Sequence, residues 1–124
     1  MSIGLKRVPV TIQAGQSLST AALLGDYTLA GLYFPAGWTA AGISYQISFD
    51  DGASYVELND STGAPVDLPP ATAASTYYAI DVRDKTLSGV TNLKLRSGTL
   101  AAPVNQTNAV TVYVVGRRIY PGPD

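Results

Sequence analysis

The stretch Ile43-Ser44-Tyr45-Gln46-Ile47-Ser48-Phe49-Asp50-Asp51-Gly52-Ala53-Ser54-Tyr55-Val56-Glu57-Leu58 decides the fold class. Ile43, Tyr45, Ile47 and Phe49 are large and apolar, while Ser44, Gln46 and Ser48 between them are small or polar. That period of two sends one set to a buried face and the other toward water, as in a half-buried strand. Asp50-Asp51-Gly52 supplies the positive-φ residues of a hairpin turn, and Tyr55, Val56 and Leu58 begin the returning strand. Burying four such side chains is worth roughly 1.5–3 kcal/mol each. Ordering the backbone costs about 1–2 kcal/mol per residue. The hairpin cannot stand alone, so its apolar face requires a second sheet opposite it.

The rest of the chain has strands to offer. Val8, Val10 and Ile12 alternate within residues 6–13, and Pro9, which cannot donate to a ladder, marks an edge strand. Residues 17–24 read as a strand, because Gly25-Asp26 cuts off the short helix that Ala21 to Leu24 would otherwise suggest. Residues 27–34 form a near-continuous apolar strand, with Gly31 allowing a bulge or a close approach. Residues 35–42 make a loop carrying Trp38, residues 59–65 a turn, and Val66 to Leu68 a short strand. Tyr78, Ile80 and Val82 share one face of a further strand. In residues 92–96, Leu93 and Leu95 point inward while Lys94 and Arg96 point out. Val110, Val112 and Val114 line the last strand. About eight short strands with no convincing helix predict an all-β fold, an antiparallel two-sheet β-sandwich of jelly-roll or other Greek-key topology. Residues 1–124 then form a single domain with a short N-terminal arm over residues 1–7 and a C-terminal tail over 119–124.

Composition narrows the function classes. Hydrophobic residues make up 46% of the 124, with 12 Gly and 8 Pro, which suits short strands and tight turns. Charged residues are only 14%, well below the roughly 25% of ordinary soluble domains. The formal net charge of −1 and pI near 5.1 favour neither nucleic acid nor an anionic membrane as partner. The start lacks the apolar core of a signal peptide, and no apolar run reaches the length of a membrane span, so a soluble product of the cytoplasm is expected.

With no histidine and no cysteine, the commonest general base, the thiolate nucleophile and the usual zinc ligands are missing. The expectation is a non-enzymatic protein without metal or cofactor. Glu57, the one glutamate, is read as a solvent-facing carboxylate on the returning strand. Asp50 and Asp51, with Asp60, invite a calcium loop, but adjacent residues diverge in direction and Asp-Gly is a standard hairpin device. Asp60-Ser61-Thr62-Gly63 resembles the Asp-Thr/Ser-Gly loop of aspartic proteases with an extra residue that breaks the match, so it is read as a turn.

The partner-binding candidates lie in a loop and at the chain ends. Trp38 either caps the sandwich or anchors a partner. Ile3, Leu5, Lys6 and Arg7 form an amphipathic arm, and Arg117, Arg118, Ile119 and Tyr120 are basic and apolar where the fold ends. These serve as contacts for docking or self-association. Tyr27, Tyr33, Tyr77 and Tyr113 are weighed as sugar-stacking rings against strand packing.

Three stretches carry a resemblance alongside the opening hairpin. They are Thr11 to Ser17, Ala30-Gly31-Leu32-Tyr33-Phe34-Pro35-Ala36-Gly37-Trp38-Thr39-Ala40-Ala41, and Leu95-Arg96-Ser97-Gly98-Thr99 through Ala102 to Gln106. Together they resemble small structural proteins of tailed bacteriophages, most closely a capsid decoration or cement protein. The resemblance implies a virion component on the capsid surface, made in the host cytoplasm, with the major capsid protein as partner and a dimer or trimer of itself as assembly. It brings no catalytic residue. The alternatives are a tail or baseplate structural protein and, further off, a carbohydrate-binding module.

Overall fold

In the computed structural model, which describes residues 5–80 and 92–118, alternation of apolar and polar residues builds eight strands. They are β1 (Leu5–Ile12), β2 (Leu18–Leu23), β3 (Tyr27–Phe34), β4 (Ile43–Ile47), β5 (Val56–Glu57), β6 (Thr76–Ala79), β7 (Asn92–Ser97) and β8 (Val110–Arg118). Two antiparallel sheets of four result, ordered β1-β8-β3-β6 and β2-β7-β4-β5. The chain is a β-sandwich. Only the step from β4 to β5 joins neighbours within one sheet, and every other connection crosses between sheets.

The inner faces interdigitate as period-two burial requires. Val10 and Ile12 of β1, Val112 and Val114 of β8, and Leu32 and Phe34 of β3 meet Ala22, Leu93, Leu95, Ile43 and Tyr45 from the second sheet. In β3 the register slips between Leu29, opposite Gly116, and Gly31, opposite Val115. The extra residue, Ala30, is a bulge that keeps both Leu29 and Leu32 facing inward although they are three apart.

Four expectations change. First, Phe49 is not core: it is 78% exposed, and pairing ends at Ile47 opposite Val56. The turn itself forms as read, with Asp51 at φ 59° and Gly52 at φ 90°, and Ala53 N donates to Asp50 O. Its flanks close on themselves instead of continuing the ladder. Gly52 N donates to Ser48 Oγ at 2.7 Å, while Ser54 N and Ser54 Oγ donate to the Asp50 carboxylate at 2.9 and 2.6 Å. Such side-chain-to-backbone bonds compete with strand pairing, and Phe49 is left beyond the last ladder rung. Second, residues 66–68 are not a strand. Asp67 meets Ser44 in an isolated bridge, and Ile43 N donates to Pro69 O, so the edge of β4 is closed by a returning loop.

Third, Arg96 does not point into water: it is 6% exposed. Fourth, Leu5, Lys6 and Arg7 are not a separate arm but the first rungs of β1, opposite Arg117, Gly116 and Val115. Ile3 and the tail from Ile119, including Tyr120, lie outside the described residues, as do Asp81 and Val82.

Candidate docking surface

The outer face of the first sheet departs from the polar-out rule of antiparallel sandwiches. Register places Pro9 opposite Tyr113, Tyr113 opposite Tyr33, and Tyr33 opposite Tyr77. One transverse row of three tyrosines and a proline thus crosses all four strands. Tyr33 is 37% and Tyr77 49% exposed. Strands lie about 4.8 Å apart, so the outer two tyrosines of the row stand roughly 10 Å from each other. Gly31, in the next row, makes this arrangement possible. A Cβ there would fall 2.0 Å from Tyr77 Oη and 2.4 Å from its Cζ. Tyr77 therefore lies down across Gly31 instead of standing away from the sheet.

Two arginines lie to one side of the row. The Arg7 guanidinium sits 5.0 Å from the centre of the Tyr113 ring. Arg117 is exposed one strand over, opposite Leu5 and Thr28. Lys6 and Arg118 approach the Tyr27 ring at 5.5 and 5.4 Å, at the end of the sandwich. Each such contact is worth about 0.5–1 kcal/mol at an exposed site. β1, β3, β6 and β8 contain no aspartate or glutamate. Among the described residues neither Arg7 nor Arg117 forms an ion pair.

The middle of the second sheet's outer face is the opposite case, a polar cluster satisfied by its own groups. Arg96 on β7 donates to Glu57 on β5 through both terminal nitrogens, at 2.6 and 2.5 Å. Its Nη1 also donates to Ser44 Oγ at 3.3 Å, and Gln46 Nε2 donates to Glu57 at 2.8 Å. The Arg96 guanidinium and its hydrogen bonds hold the Glu57 carboxyl below its ordinary range, and Glu57 in turn raises Arg96. Glu57 is thus not a solvated carboxylate but the partner of a buried cation. Nothing in the spacing of Gln46, Glu57 and Arg96 announced the cluster, because strand pairing alone brings them together.

Trp38 is the clearest correction among the partner-binding candidates. It is 5% exposed, its ring lies 4.6 Å from Phe34, and Nε1 donates to Thr72 Oγ1 at 2.8 Å. It caps the sandwich and offers no side chain to a partner. The neighbouring loops are tied by Gln106, fully buried, whose amide accepts from Thr39 N and donates to Thr39 O and Ser97 Oγ. Pairing of β1 with β8 brings Leu5, Lys6 and Arg7 beside Arg117 and Arg118, which the sequence alone presents as two separate contact sets at the two ends of the chain; Ile3, Ile119 and Tyr120 are not described.

The aspartates occupy turns and loops. Asp50 is lowered to about 2, chiefly by hydrogen bonds from Ser54 and Ser48, and Asp60 is lowered by Thr62 and by backbone N–H groups. No group of three metal-ligating side chains occurs among the described residues. Asp67 is different: burial raises it, and its buried Oδ1 has no hydrogen-bond partner. It borders a shallow cleft of about 520 Å³ between Pro65 and Leu100.

These shifts set the response to acid. Asp50, Asp60 and Glu57 contribute stability above their unfolded values near 4, and lose it as pH falls toward the lower folded values. Asp67 has the reverse sign: it costs stability once pH rises through its unfolded value, and the cost is complete above its folded one. Asp67→Asn is therefore expected to raise the melting temperature at pH 7, with the gain vanishing by about pH 3, where Asp67 is protonated in both states. Thermal melts by circular dichroism across that range check it. A gain that persists unchanged at pH 3 would point to packing instead.

Set against protein-family models, curated proteins and solved structures, the chain matches none.

Proposed function

We propose that this protein is a non-enzymatic virion component that binds and reinforces the outer capsid shell of a tailed phage. The observation that carries the reading is the outer face of the first sheet, where a row of three tyrosines stands beside Arg7 and Arg117. Aromatic residues and arginine are what the buried centres of protein interfaces favour. The strand order supports a jelly-roll wiring. The pairs β1·β8, β2·β7, β3·β6 and β4·β5 form one long antiparallel ribbon, and folding that ribbon over itself adds β8·β3 and β7·β4. Jelly rolls serve in viral capsids and in lectins alike, so the wiring by itself does not select a function.

The tyrosine row favours a second reading, a carbohydrate-binding module. Against it stands the chemistry around the rings. Sugar hydroxyls are commonly held by carboxylates and amides as well as by stacking, and these strands place arginine and threonine beside the row. A tail or baseplate location uses the same docking logic as the shell and differs only in position.

The test is co-sedimentation of the purified chain with phage heads, followed by heating of heads with and without it. Binding with later rupture is the expected outcome. Heads that neither bind the chain nor gain resistance would end the shell reading, and immunogold label on the tail would move the protein there.

A further inference from the structure

We infer that the outer face of the first sheet is the docking face, and that its occupant is an acidic protein surface. The inference rests on the shell-binding reading for the identity of the particle. Charge is unevenly placed on the two sheets. Lys94 and Arg96 lie on the second, with Arg96 paired to Glu57, and Asp26 stands in the turn before β3, beside Tyr27. Arg7 and Arg117 share the outer face of the first sheet, whose four strands contain no carboxylate. Lys6 and Arg118 stand on the opposite side of β1 and β8, at the end of the sandwich beside Tyr27. Asp50, Asp51, Glu57, Asp60 and Asp67 belong to β5 and the loops around it, on the side of the second sheet. Two arginines on strands without a carboxylate make this face locally cationic in a chain of net charge −1, and the sign of that face selects the partner.

The tyrosines fit the same occupant. Tyr33, Tyr77 and Tyr113 supply large, stiff contact area, and Arg7 is already stacked on Tyr113, so its guanidinium edge remains available to a carboxylate. Size also agrees. Four strands at about 4.8 Å and eight residues at about 3.4 Å give a face of roughly 500 Å². A stable one-to-one complex buries about 800 Å² per partner. A single copy then binds weakly, and repeated copies on one lattice hold through avidity.

Two measurements test this together. The first is retention of the chain on immobilised polyglutamate at pH 7. Retention at about 20 mM salt that is lost by about 0.3 M is expected. The double variant Arg7→Glu/Arg117→Glu should weaken it at least tenfold, and Lys94→Glu, on the second sheet, should not. The second uses the absence of cysteine. Tyr33→Cys and, as control, Leu23→Cys, which is 55% exposed on the second sheet, are labelled with a maleimide on free chain and on heads. Protection of position 33 alone is expected.

The outcomes separate the claims. Retention on polyglutamate without binding to heads leaves the acidic-docking face standing and removes the shell. Binding to heads with position 33 still reactive, or undiminished by the double charge reversal, overturns the docking face and leaves the shell. A doubled mass in solution with position 33 protected assigns the face to a second copy and overturns the inference. Glycan-array binding that Tyr33→Ala abolishes does the same in favour of a sugar.

Discussion

Trp38→Ala is expected to lower stability by about 3–5 kcal/mol, the usual cost of emptying a large aromatic site. For a domain of this size that is a fall in melting temperature of roughly 10–20 °C. The side chain is 5% exposed and packs on Phe34, which in turn meets Tyr78 edge-on at 5.7 Å. Its removal also leaves Thr72 Oγ1 without the indole donor. Thr72 itself ties the loop after β5 to Ala41 through both its N–H and its hydroxyl. The cavity and the loosened loop act at one place, so little relaxation is available to fill it. Because Trp38 is the single tryptophan, the comparison should be read by far-ultraviolet circular dichroism in urea. Trp38→Phe, which keeps a ring but not the donor, should lose clearly less. An alanine variant as stable as wild type would show that the indole is not part of the core. The same burial makes Trp38→Ala unsuitable as a probe of glycan binding, since a loss would report unfolding.

Glu57→Ala is expected to cost about 3 kcal/mol, the lower end for stripping the partner from a buried charge. The asymmetry of the pair sets the direction: the Arg96 side chain is 7% exposed and the Glu57 side chain 27%. Removing Glu57 strands a guanidinium that cannot become neutral. Removing the cation by Arg96→Met leaves a carboxylate that still reaches water and Gln46, and a flexible apolar chain fills the site. That variant should lose only about 1 kcal/mol, close to the neutral exchange seen when buried ions are replaced by packed hydrophobic residues. The double variant should lose less than Glu57→Ala alone. A double-mutant cycle in urea reads this coupling directly. Strictly additive losses would mean that the pair contributes nothing as a pair. Acid should have the same effect as the mutation, since the folded carboxyl titrates below its unfolded value and the contribution fades as pH drops under about 4.

Both results concern residues whose importance the sequence concealed. Trp38 stood in a loop beside glycine, where local pattern cannot say whether a ring turns in or out. Glu57 and Arg96 each obeyed the alternation of a solvent-facing position, and each is on the outer side of its strand. What alters their environment is pairing: β5 and β7 lie on either side of β4, so residues far apart in the chain converge across one strand. Phe49 failed for a local reason. Ser48, Asp50 and Ser54 offered the backbone hydrogen bonds of their own, and the ladder ended two residues before Phe49.

The sequence by itself determined the class of fold and most of its core. Period two, repeated along most of the strands and broken by glycine, proline and aspartate, is a local property, and it placed Val10, Ile12, Ile43, Tyr45, Leu93, Leu95, Val112 and Val114 correctly inside. Tertiary structure alone decided which outward-facing residues share a surface. Pro9, Tyr33, Tyr77 and Tyr113 are scattered over more than a hundred positions, and only the register of β1, β8, β3 and β6 sets them in one row. Alternation says that a side chain leaves the core. It carries no information about the neighbour it meets there, because that neighbour belongs to another strand.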